Sequence, residues 1–225
     1  MRNKIKELKE NFKKFKIDGY IVPKNDEYFS EYAKNDRLKN ISNFSGSAGI
    51  AVFLQKKNYL FVDGRYTIQA QQESAKNFDI IEIHKSLPHT IIKNYNLGYD
   101  PRLFTSKNLR NYFSNNSLIP IHDNLIDQIF KFNEKKTKPF YSLGKKIVGE
   151  THGSKILKIS NFLKSNNADY LLVSAPENVA WLLNIRGYDN PNSPIPNARL
   201  IIDKKKRLFL ITHKNNVKKI VKEKK

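Results

Sequence analysis

The first stretch of the chain places apolar residues at helical spacing among lysines and then changes to a short, continuous apolar run. The spacing predicts an amphipathic helix from about residue 2 to residue 16. The apolar stripe of this helix consists of Ile5, Leu8, Phe12 and Phe15. Asp18-Gly19 ends the helix, and the run at residues 20–22 is typical of a buried strand that stops at Pro23.

Helix and strand patterns continue to alternate up to about residue 130. Asp26 can cap a helix that we expect to run to about Ala33. Two strands, at residues 48–54 and 59–62, flank a polar turn and predict a hairpin. The later predicted elements are a helix at 65–76, strands at 78–83 and 97–99, and helices at 106–113 and 124–130. The alternation predicts an α/β fold, and the hairpin makes its sheet mixed.

The same order of elements returns in the second half of the chain. The predicted elements are a helix at 154–164, a strand at 170–173, a helix that opens at Pro176, and strands at 200–202 and 208–211. The first strand repeats in its residues as well, with Tyr20-Ile21-Val22 in one half and Tyr170-Leu171-Leu172-Val173 in the other. A repeat this long indicates duplicated domains, because solenoid repeats have periods of roughly 20–50 residues.

The two copies differ in completeness. The second copy reaches its hairpin, begins a lysine-rich helix near Asn215, and then lacks the later elements of the first copy. We therefore expect one domain at residues 1–130, a linker at 131–148, and a truncated second domain at 149–225. The hypothesis is that the sequence ends inside its second domain.

The charge of the chain bears on its partners. The formal net charge is +20, with 41 Lys and Arg against 21 Asp and Glu. Clustered cations can mark a nucleic-acid binder. Here the basic residues are scattered and are mostly lysine, whereas base readout favours the planar fork of arginine. This distribution favours a solvated surface over a nucleic-acid footprint.

The composition also bears on the compartment and on the chemistry. There is no cysteine, so disulfides, thiolate zinc sites and thiol nucleophiles are excluded. No run approaches the roughly 18 apolar residues of a membrane span, and the first residues lack the apolar centre of a signal peptide. We therefore expect a soluble, cytoplasmic protein.

The histidines give no sign of a hydrolytic metal centre. Their positions are His84, His89, His122, His152 and His213. None pairs with another histidine or with a carboxylate at i+4 on a convincing helix, and a catalytic metal needs several convergent ligands. The expectation is that this chain holds no metal, no cofactor and no catalytic residue.

Two residues stand out as candidates for contacts with other molecules. Asp63 can cap a following helix and so places Arg65 in the first turn, where the helix dipole disfavours a cation. Arg65 can therefore serve a distant carboxylate, including that of a substrate, or a local ion pair, which the physical argument alone favours. Trp181 stands between apolar neighbours, which predicts core packing, with an interface anchor as the alternative.

A set of motifs follows one order along the chain. They are Tyr20-Ile21-Val22-Pro23, Phe44-Ser45-Gly46-Ser47-Ala48-Gly49, Asp63-Gly64-Arg65-Tyr66, Gly98-Tyr99-Asp100-Pro101-Arg102-Leu103 and Ala180-Trp181-Leu182-Leu183-Asn184-Ile185-Arg186-Gly187. In this order they resemble the two N-terminal domains of long, three-domain Xaa-Pro aminopeptidases. The resemblance implies two tandem creatinase N-terminal-like domains, of ribonuclease H-like fold with mixed sheets, the second being incomplete here.

The resemblance implies an enzyme whose third, pita-bread domain is missing from this sequence. In the family that domain holds two divalent metal ions, usually manganese, and removes the N-terminal residue that precedes proline. The implied partners are therefore the missing C-terminal catalytic domain, a peptide with proline at its second position, and a second copy in a homodimer. The family associates the arginine of the Asp-Gly-Arg-Tyr motif with peptide binding, which makes Arg65 the leading substrate-binding residue.

Two other classes of protein remain open at the level of sequence. One is a free-standing interaction module that has lost its catalytic partner. The other is a basic nucleic-acid-binding protein, which the charge alone would allow. An incomplete second copy argues against the free-standing module, because it leaves a sheet edge and an apolar face uncovered.

Overall fold

The structure is a computed structural model that describes residues 1–33, 35–132, 138–190 and 192–220. The chain divides into two compact units, residues 1–133 (unit 1) and 134–225 (unit 2). Residues 141–142, within the predicted linker, already form a strand of unit 2. Among the described residues, no helix combines the length and the apolar character that crossing a membrane requires.

Unit 1 is built on a six-stranded mixed sheet. Its strands are β1 (Gly19–Pro23), β2 (Gly49–Leu54), β3 (Asn58–Val62), β4 (Asp79–Glu82), β5 (Asn96–Tyr99) and β6 (Ser117–Pro120). They lie in the order β4-β3-β2-β1-β5-β6. The pairs β1–β2 and β2–β3 are antiparallel, and the outer pairs are parallel. The predicted α/β fold with a mixed sheet is thus confirmed.

Short helices cover the sheet of unit 1. They are α1 (Arg2–Glu10), α2 (Phe12–Phe15), α3 (Arg37–Ser42), α4 (Thr67–Ser74), α5 (Pro88–Ile91), α6 (Ser106–Phe113) and α7 (Leu125–Phe130). The single helix predicted at the start is two, α1 and α2, which meet at Asn11. The second of them ends at Lys16, whose φ of 53° is a left-handed conformation typical of a helix C-terminus.

Apolar side chains pack on both faces of this sheet. On the first face the core includes Leu8, Tyr20, Leu38, Phe53, Leu60 and Ile126, which joins α1, α3 and α7 to the strands. On the second face it includes Ile21, Val52, Phe61, Ile92, Leu97 and Phe113. Strand β1 is buried along its whole length as a result. A strand buried on both faces is typical of sheets with helices on either side.

The helix predicted to follow Asp26 does not form. The Asp26 carboxylate accepts hydrogen bonds from the backbone N–H of Tyr28 and of Ser30, each at 2.9 Å. These bonds satisfy the backbone in a turn instead of a helix, which is the alternative that aspartate side chains offer. The prediction was wrong because the same carboxylate can cap either structure.

A buried arginine ties the first helical layer of unit 1 together. The Arg37 side chain is 6% exposed, and its Nε and Nη2 donate to the Asp127 carboxylate at 2.7 and 2.8 Å. Nη2 also donates to Glu27 at 2.6 Å. Burial alone would lower the pKa of Arg37, but the bonds to Asp127 and the charge of Glu27 raise it. The guanidinium therefore links α3, α7 and the turn that contains Glu27.

Unit 2 contains a shorter version of the same layers. Its strands are β7 (Tyr141–Ser142), β8 (Tyr170–Val173), β9 (Ile185–Arg186), β10 (Arg199–Asp203) and β11 (Leu208–Ile211). Its helices are α8 (His152–Ser165), α9 (Pro176–Leu183) and α10 (Lys214–Val217). One antiparallel sheet has the order β11-β10-β8, and β7 pairs with β9. One core, which includes Phe140, Ile156, Val179, Leu183, Leu200 and Ile202, holds these elements together.

The internal repeat is visible in the strand register. Leu172 of β8 lies opposite Ile201 of β10, as Ile21 of β1 lies opposite Val52 of β2. Strand β11 then pairs with β10 as β3 pairs with β2, both antiparallel. The triplets β1-β2-β3 and β8-β10-β11 are therefore equivalent, as the repeated sequence predicts.

The prediction that Trp181 packs in the core was wrong. Trp181 is 59% exposed, whereas its neighbours Ala180 and Leu182 are buried. The buried Lys155 directs its Nζ at the indole ring, 4.0 Å from the ring centroid, and donates to the Trp181 carbonyl oxygen at 2.7 Å. The Lys155 ammonium thus packs against one face of the indole ring, and this cation–π contact fixes the tryptophan at the surface of unit 2.

We expect Arg37→Ala to lower the free energy of unfolding of unit 1 by about 2–4 kcal/mol. The loss leaves two carboxylates without their cation, and it stays below that of a fully buried pair because both carboxylates are partly exposed. Urea unfolding followed by far-ultraviolet circular dichroism measures it. Arg110→Ala, at an exposed position of α6, is the control and should change the value by less than about 0.5 kcal/mol. Equal losses in the two variants would contradict the role given to Arg37.

Candidate functional site

Arg65 lies in a tight turn between the hairpin and α4. Residues Gly64–Tyr66 form a single 3-10 turn, and Asp63 precedes it in extended conformation. The Asp63 carboxylate accepts the backbone N–H of Arg65 at 3.0 Å, which is the capping contact that the sequence predicts. The turn therefore presents the Arg65 side chain immediately beyond the end of β3.

The Arg65 guanidinium has a local partner and remains accessible. Its Nε donates to Oδ1 of Asp63 at 2.9 Å, and its Cζ lies 5.4 Å from the centroid of the Tyr66 ring. The side chain is nevertheless 72% exposed. The local ion pair that the sequence argument favours is thus present, and it leaves the guanidinium in contact with solvent. An exposed arginine fixed at one nitrogen can still bind an incoming anion or carbonyl oxygen.

Neighbouring side chains complete one polar patch on unit 1. The Nε2 of His84 lies 3.7 Å from Oδ2 of Asp63. The Tyr66 hydroxyl shares a hydrogen bond of 2.9 Å with Oγ of Ser47, which ties the turn to the segment before β2. We call Ser47, Asp63, Arg65, Tyr66 and His84 the Arg65 patch. Its groups can hold and orient a polar ligand.

Asp63 and Arg65 each stabilise the charged form of the other. The hydrogen bond from the Arg65 side chain lowers the pKa of Asp63 from its ordinary value of 3.8 to about 2, and the backbone N–H of Arg65 adds to this effect. The Asp63 carboxylate in turn raises the pKa of Arg65. Both groups therefore carry full charge at neutral pH, and neither is suited to transfer a proton there.

The contact between His84 and Asp63 is not predicted from the sequence. The two residues are brought together because β3 and β4 run parallel, with Val62 paired to Glu82 and Ile83 N–H donating to the Val62 carbonyl oxygen at 2.9 Å. No spacing pattern reveals such a contact. The only available signal was that both residues directly follow predicted strands, whose ends meet if the strands are parallel neighbours.

The other histidines occupy separate places. His89 lies in α5 with its Nδ1 3.0 Å from the carbonyl oxygen of Asn111, and His213 caps α10. His152 begins α8, and His122 lies in the turn after β6. Across the residues that the structure describes, no three side chains of His, Asp, Glu or Cys lie together as a metal would require. The donor set in this part of the chain does not fit a pair of metal ions.

The comparisons with known proteins agree with the two-unit architecture. Models of the creatinase/prolidase N-terminal domain match residues 4–129 and 132–225. The chain therefore belongs to the family of proteins with creatinase/prolidase N-terminal domains. Its two units are two such domains in tandem, as the resemblance in the sequence implies.

Two Xaa-Pro aminopeptidases are similar to this chain over most of its length. Xaa-Pro aminopeptidase 2 of Rattus norvegicus is 32% identical over 224 residues, which is 90% of this chain and 33% of the relative. Xaa-Pro aminopeptidase 1 of Dictyostelium discoideum is 30% identical over 96% of this chain and 38% of the relative. The chain thus spans about a third of the length of these relatives.

A solved structure shares the fold. The X-prolyl aminopeptidase of Caenorhabditis elegans, described as a cytosolic enzyme with a di-nuclear active site, matches with a TM-score of 0.85 at 23% identity. The match covers 98% of this chain and 40% of the worm protein. The described part of our chain therefore has the architecture of one part of that larger protein.

We expect the Asp63 carboxyl to titrate near pH 2 in the folded chain. Folding lowers its pKa, so the ion pair stabilises the chain above the ordinary value of 3.8, and this contribution is lost as the pH falls toward 2. Arg65→Ala should raise the titration midpoint toward 3.8. Carboxyl chemical shifts in a nuclear magnetic resonance titration measure it.

The matched control for that titration is Arg102→Ala. Arg102 makes the same kind of turn with Asp100, its Nε donating to Oδ1 at 3.0 Å. Its loss should leave the midpoint of Asp63 unchanged. A midpoint near 3.8 in the unsubstituted chain would contradict the ion pair.

Proposed function

We propose that this chain is the N-terminal, non-catalytic part of an Xaa-Pro aminopeptidase, an enzyme that removes the N-terminal residue preceding proline. One observation carries the proposal: the relatives match along nearly the whole chain, yet the chain spans only about a third of their length. The peptidase chemistry then resides in the remaining two thirds. Both units serve that chemistry by shaping access to it.

The metal ions belong to the part of the enzyme beyond this chain. When bound, a pair of divalent ions such as manganese supplies a nucleophilic hydroxide for peptide hydrolysis. The residues described in the two units offer no matching ligand set. We therefore propose that the units bind and orient the peptide and limit the access of other molecules to the active site. They donate no ligand to the metals.

Arg65 is the residue that we propose contacts the substrate. Two turns of unit 1 have the form Asp-X-Arg, and comparing them supports this role. The arginine of the second, Arg102, pairs with Asp100, a carboxylate that is almost fully buried and requires a cation. Asp63 is partly exposed and has no comparable requirement. The highly exposed Arg65 is thus available as an electrostatic contact for the peptide.

We further propose that the complete enzyme is cytoplasmic and forms a homodimer. The worm protein of the same fold is described as cytosolic. The absence of cysteine from the chain is compatible with a reducing compartment. The exposed apolar side chains of unit 2, such as Trp181, are candidates for contacts between copies.

The native product in its source cells should be much larger than the 26.2 kDa of this chain. Since the chain spans 33–38% of its relatives, we expect a polypeptide about three times as long. Immunoblotting with an antibody against unit 1 measures its size, and the purified product should cleave peptides with proline at the second position.

A native product of 26.2 kDa without peptidase activity would overturn this proposal. It would favour a free-standing interaction module. The charge of +20 provides the remaining alternative, because it would give a strongly salt-dependent affinity for DNA or RNA. Binding of the 225-residue chain to a DNA duplex at two salt concentrations separates these two outcomes.

In the complete enzyme, Arg65→Ala should raise KM about tenfold and change kcat by less than about twofold. The contact would act on substrate binding and not on bond cleavage, so ground state and transition state lose it alike. Steady-state kinetics on an Xaa-Pro peptide measure both constants. Arg110→Ala, an exposed arginine of the same unit, should change neither. An unchanged KM in Arg65→Ala would remove Arg65 from the substrate site.

A further inference from the structure

His84 lies beside the ion pair of Asp63 and Arg65, and the substrate contact proposed above makes no use of it. Its side chain is 73% exposed. Its Nε2 lies 3.7 Å from Oδ2 of Asp63, which is too long for a hydrogen bond. The imidazole of His84 therefore remains able to bind another group.

A single carboxylate brings the side chains of Arg65 and His84 together. Oδ1 of Asp63 accepts a hydrogen bond from Nε of Arg65 at 2.9 Å, and Oδ2 of the same residue lies nearest to His84. The two oxygens belong to one carboxyl group, so Arg65 and His84 are close enough to contact one ligand. The parallel pairing of β3 with β4, in which Val62 lies opposite Glu82, fixes this arrangement.

A proton on His84 changes the charge of the Arg65 patch. Histidine is the side chain whose charge ordinarily changes between about pH 8 and pH 5. While His84 is neutral, the charges of Arg65 and Asp63 balance each other. Once His84 is protonated, two cations share the Asp63 carboxylate and one positive charge is left over. Because the imidazolium also donates from both ring nitrogens, the patch then attracts an anion more strongly.

Other charged or titratable side chains surround this patch. Those that contact it or act on the charge of Arg65 are Tyr66, Glu82, Lys85 and Glu31. Glu82 packs against the turn that carries Arg65, and Nζ of Lys85 lies 2.7 Å from its Oε2. Glutamate, lysine and tyrosine side chains ordinarily keep their charge state between about pH 5.5 and pH 8. A change in ligand binding across that range is therefore assigned to His84.

The Arg65 guanidinium has the donors that a carboxylate requires. Within the described residues it donates a hydrogen bond through Nε alone, which leaves both Nη groups for a ligand. A carboxylate accepts two parallel N–H bonds from a guanidinium, and such bonds are roughly twice as strong as bonds between neutral groups. A peptide carbonyl has one oxygen and no charge, so it uses this fork less well. A carboxylate is thus the group that fits Arg65 and His84 together.

We propose that Arg65 and His84 together bind a carboxylate of the substrate peptide, and that protonation of His84 tightens this contact. The inference rests on the proposed function, in which Arg65 contacts the peptide. It adds a second contact residue and a substrate preference. The carboxylate is either the C-terminus of a short peptide or an acidic side chain, and the choice of test peptides separates these two sources.

Three tripeptides with the same first residue and proline at the second position test the proposal in the complete enzyme. The first ends in alanine with a free carboxylate, the second in alanine amide, and the third in aspartate amide. Steady-state kinetics at about pH 5.5 and pH 8 give kcat/KM for each, and both kinds of carboxylate stay ionised there. The selectivity ratio is the kcat/KM of the first or third peptide divided by that of the second. Effects of pH on bond cleavage cancel in this ratio.

In the unsubstituted enzyme, the selectivity ratio should rise about threefold from pH 8 to pH 5.5, the effect expected of one added charge near an exposed ligand. A rise for the free acid assigns the carboxylate to the C-terminus, and a rise for the aspartate amide assigns it to a side chain. A ratio of about one at both pH values for both peptides would overturn the proposal. A higher ratio that does not depend on pH would exclude His84 and overturn it as well.

Substitutions of His84 identify the group that is responsible. His84→Gln is polar and uncharged, so its ratio should stay at the value of the unsubstituted enzyme at pH 8. His84→Lys carries a cation throughout, so its ratio should stay at the higher value. His122→Gln is the control, because His122 is exposed and follows β6, at the edge of the sheet opposite to β4. It should keep the pH dependence, and the same dependence in His84→Gln would contradict the proposal.

The failure of this inference differs from the failure of the proposed function. An active peptidase whose selectivity does not respond to His84 keeps the proposed function and removes the inference. If the native product cleaves no Xaa-Pro peptide, the first two tripeptides are titrated into the 225-residue chain, and the side-chain carbon signals of Arg65 and His84 report binding. A free acid that binds about threefold more tightly at pH 5.5 than at pH 8 keeps the carboxylate site. Equal affinity for acid and amide removes it.

Discussion

Strand β1 is buried at all five of its residues, and this constraint organises unit 1. A strand in this position needs apolar side chains on both faces and backbone partners on both edges. The antiparallel β2 and the parallel β5 supply the edges. Helices on one side and the segment around α5 and α6 on the other supply the covering layers. Strands β1 and β2 approach each other closely at Gly19. A Cβ added to this glycine would lie 2.5 Å from the Phe53 carbonyl oxygen, so no larger residue fits there.

The pairing of the strands relates the two units and places the Arg65 patch. In unit 2 the triplet of strands repeats, but the described residues cover only one face of it. In unit 1, the parallel pairing of β3 and β4 brings their carboxyl ends together, so Asp63 and His84 meet there. A turn holds Arg65 at that end of the strands. Asp63 in this turn is partly exposed, so it does not require the charge of Arg65 to offset burial. The residue proposed to contact substrate thus stands on a rigid sheet and remains exposed.

Much of this fold could be predicted from the sequence, because apolar runs and polar turns mark the strands directly. The repeat and the mixed sheet follow from the same pattern. Local sequence patterns gave a wrong prediction at two positions. Asp26 closes a turn instead of capping a helix. Trp181 lies beside buried neighbours and is still exposed, because α9 buries the face that carries Val179 and Leu183 and Trp181 lies on the opposite face. The contact of Asp63 with His84 could not be predicted, since it depends on the pairing of distant strands.

The contact between Lys155 and Trp181 also gives the chain an intrinsic optical label. Trp181 is the only tryptophan, and it belongs to unit 2. Its emission therefore reports on unit 2 alone, whereas the signals of the eleven tyrosines come from both units. An ammonium 4.0 Å from the ring centroid makes that emission sensitive to the local field and to solvent. Intrinsic fluorescence can thus follow unit 2 separately from unit 1, without an added dye or a substitution.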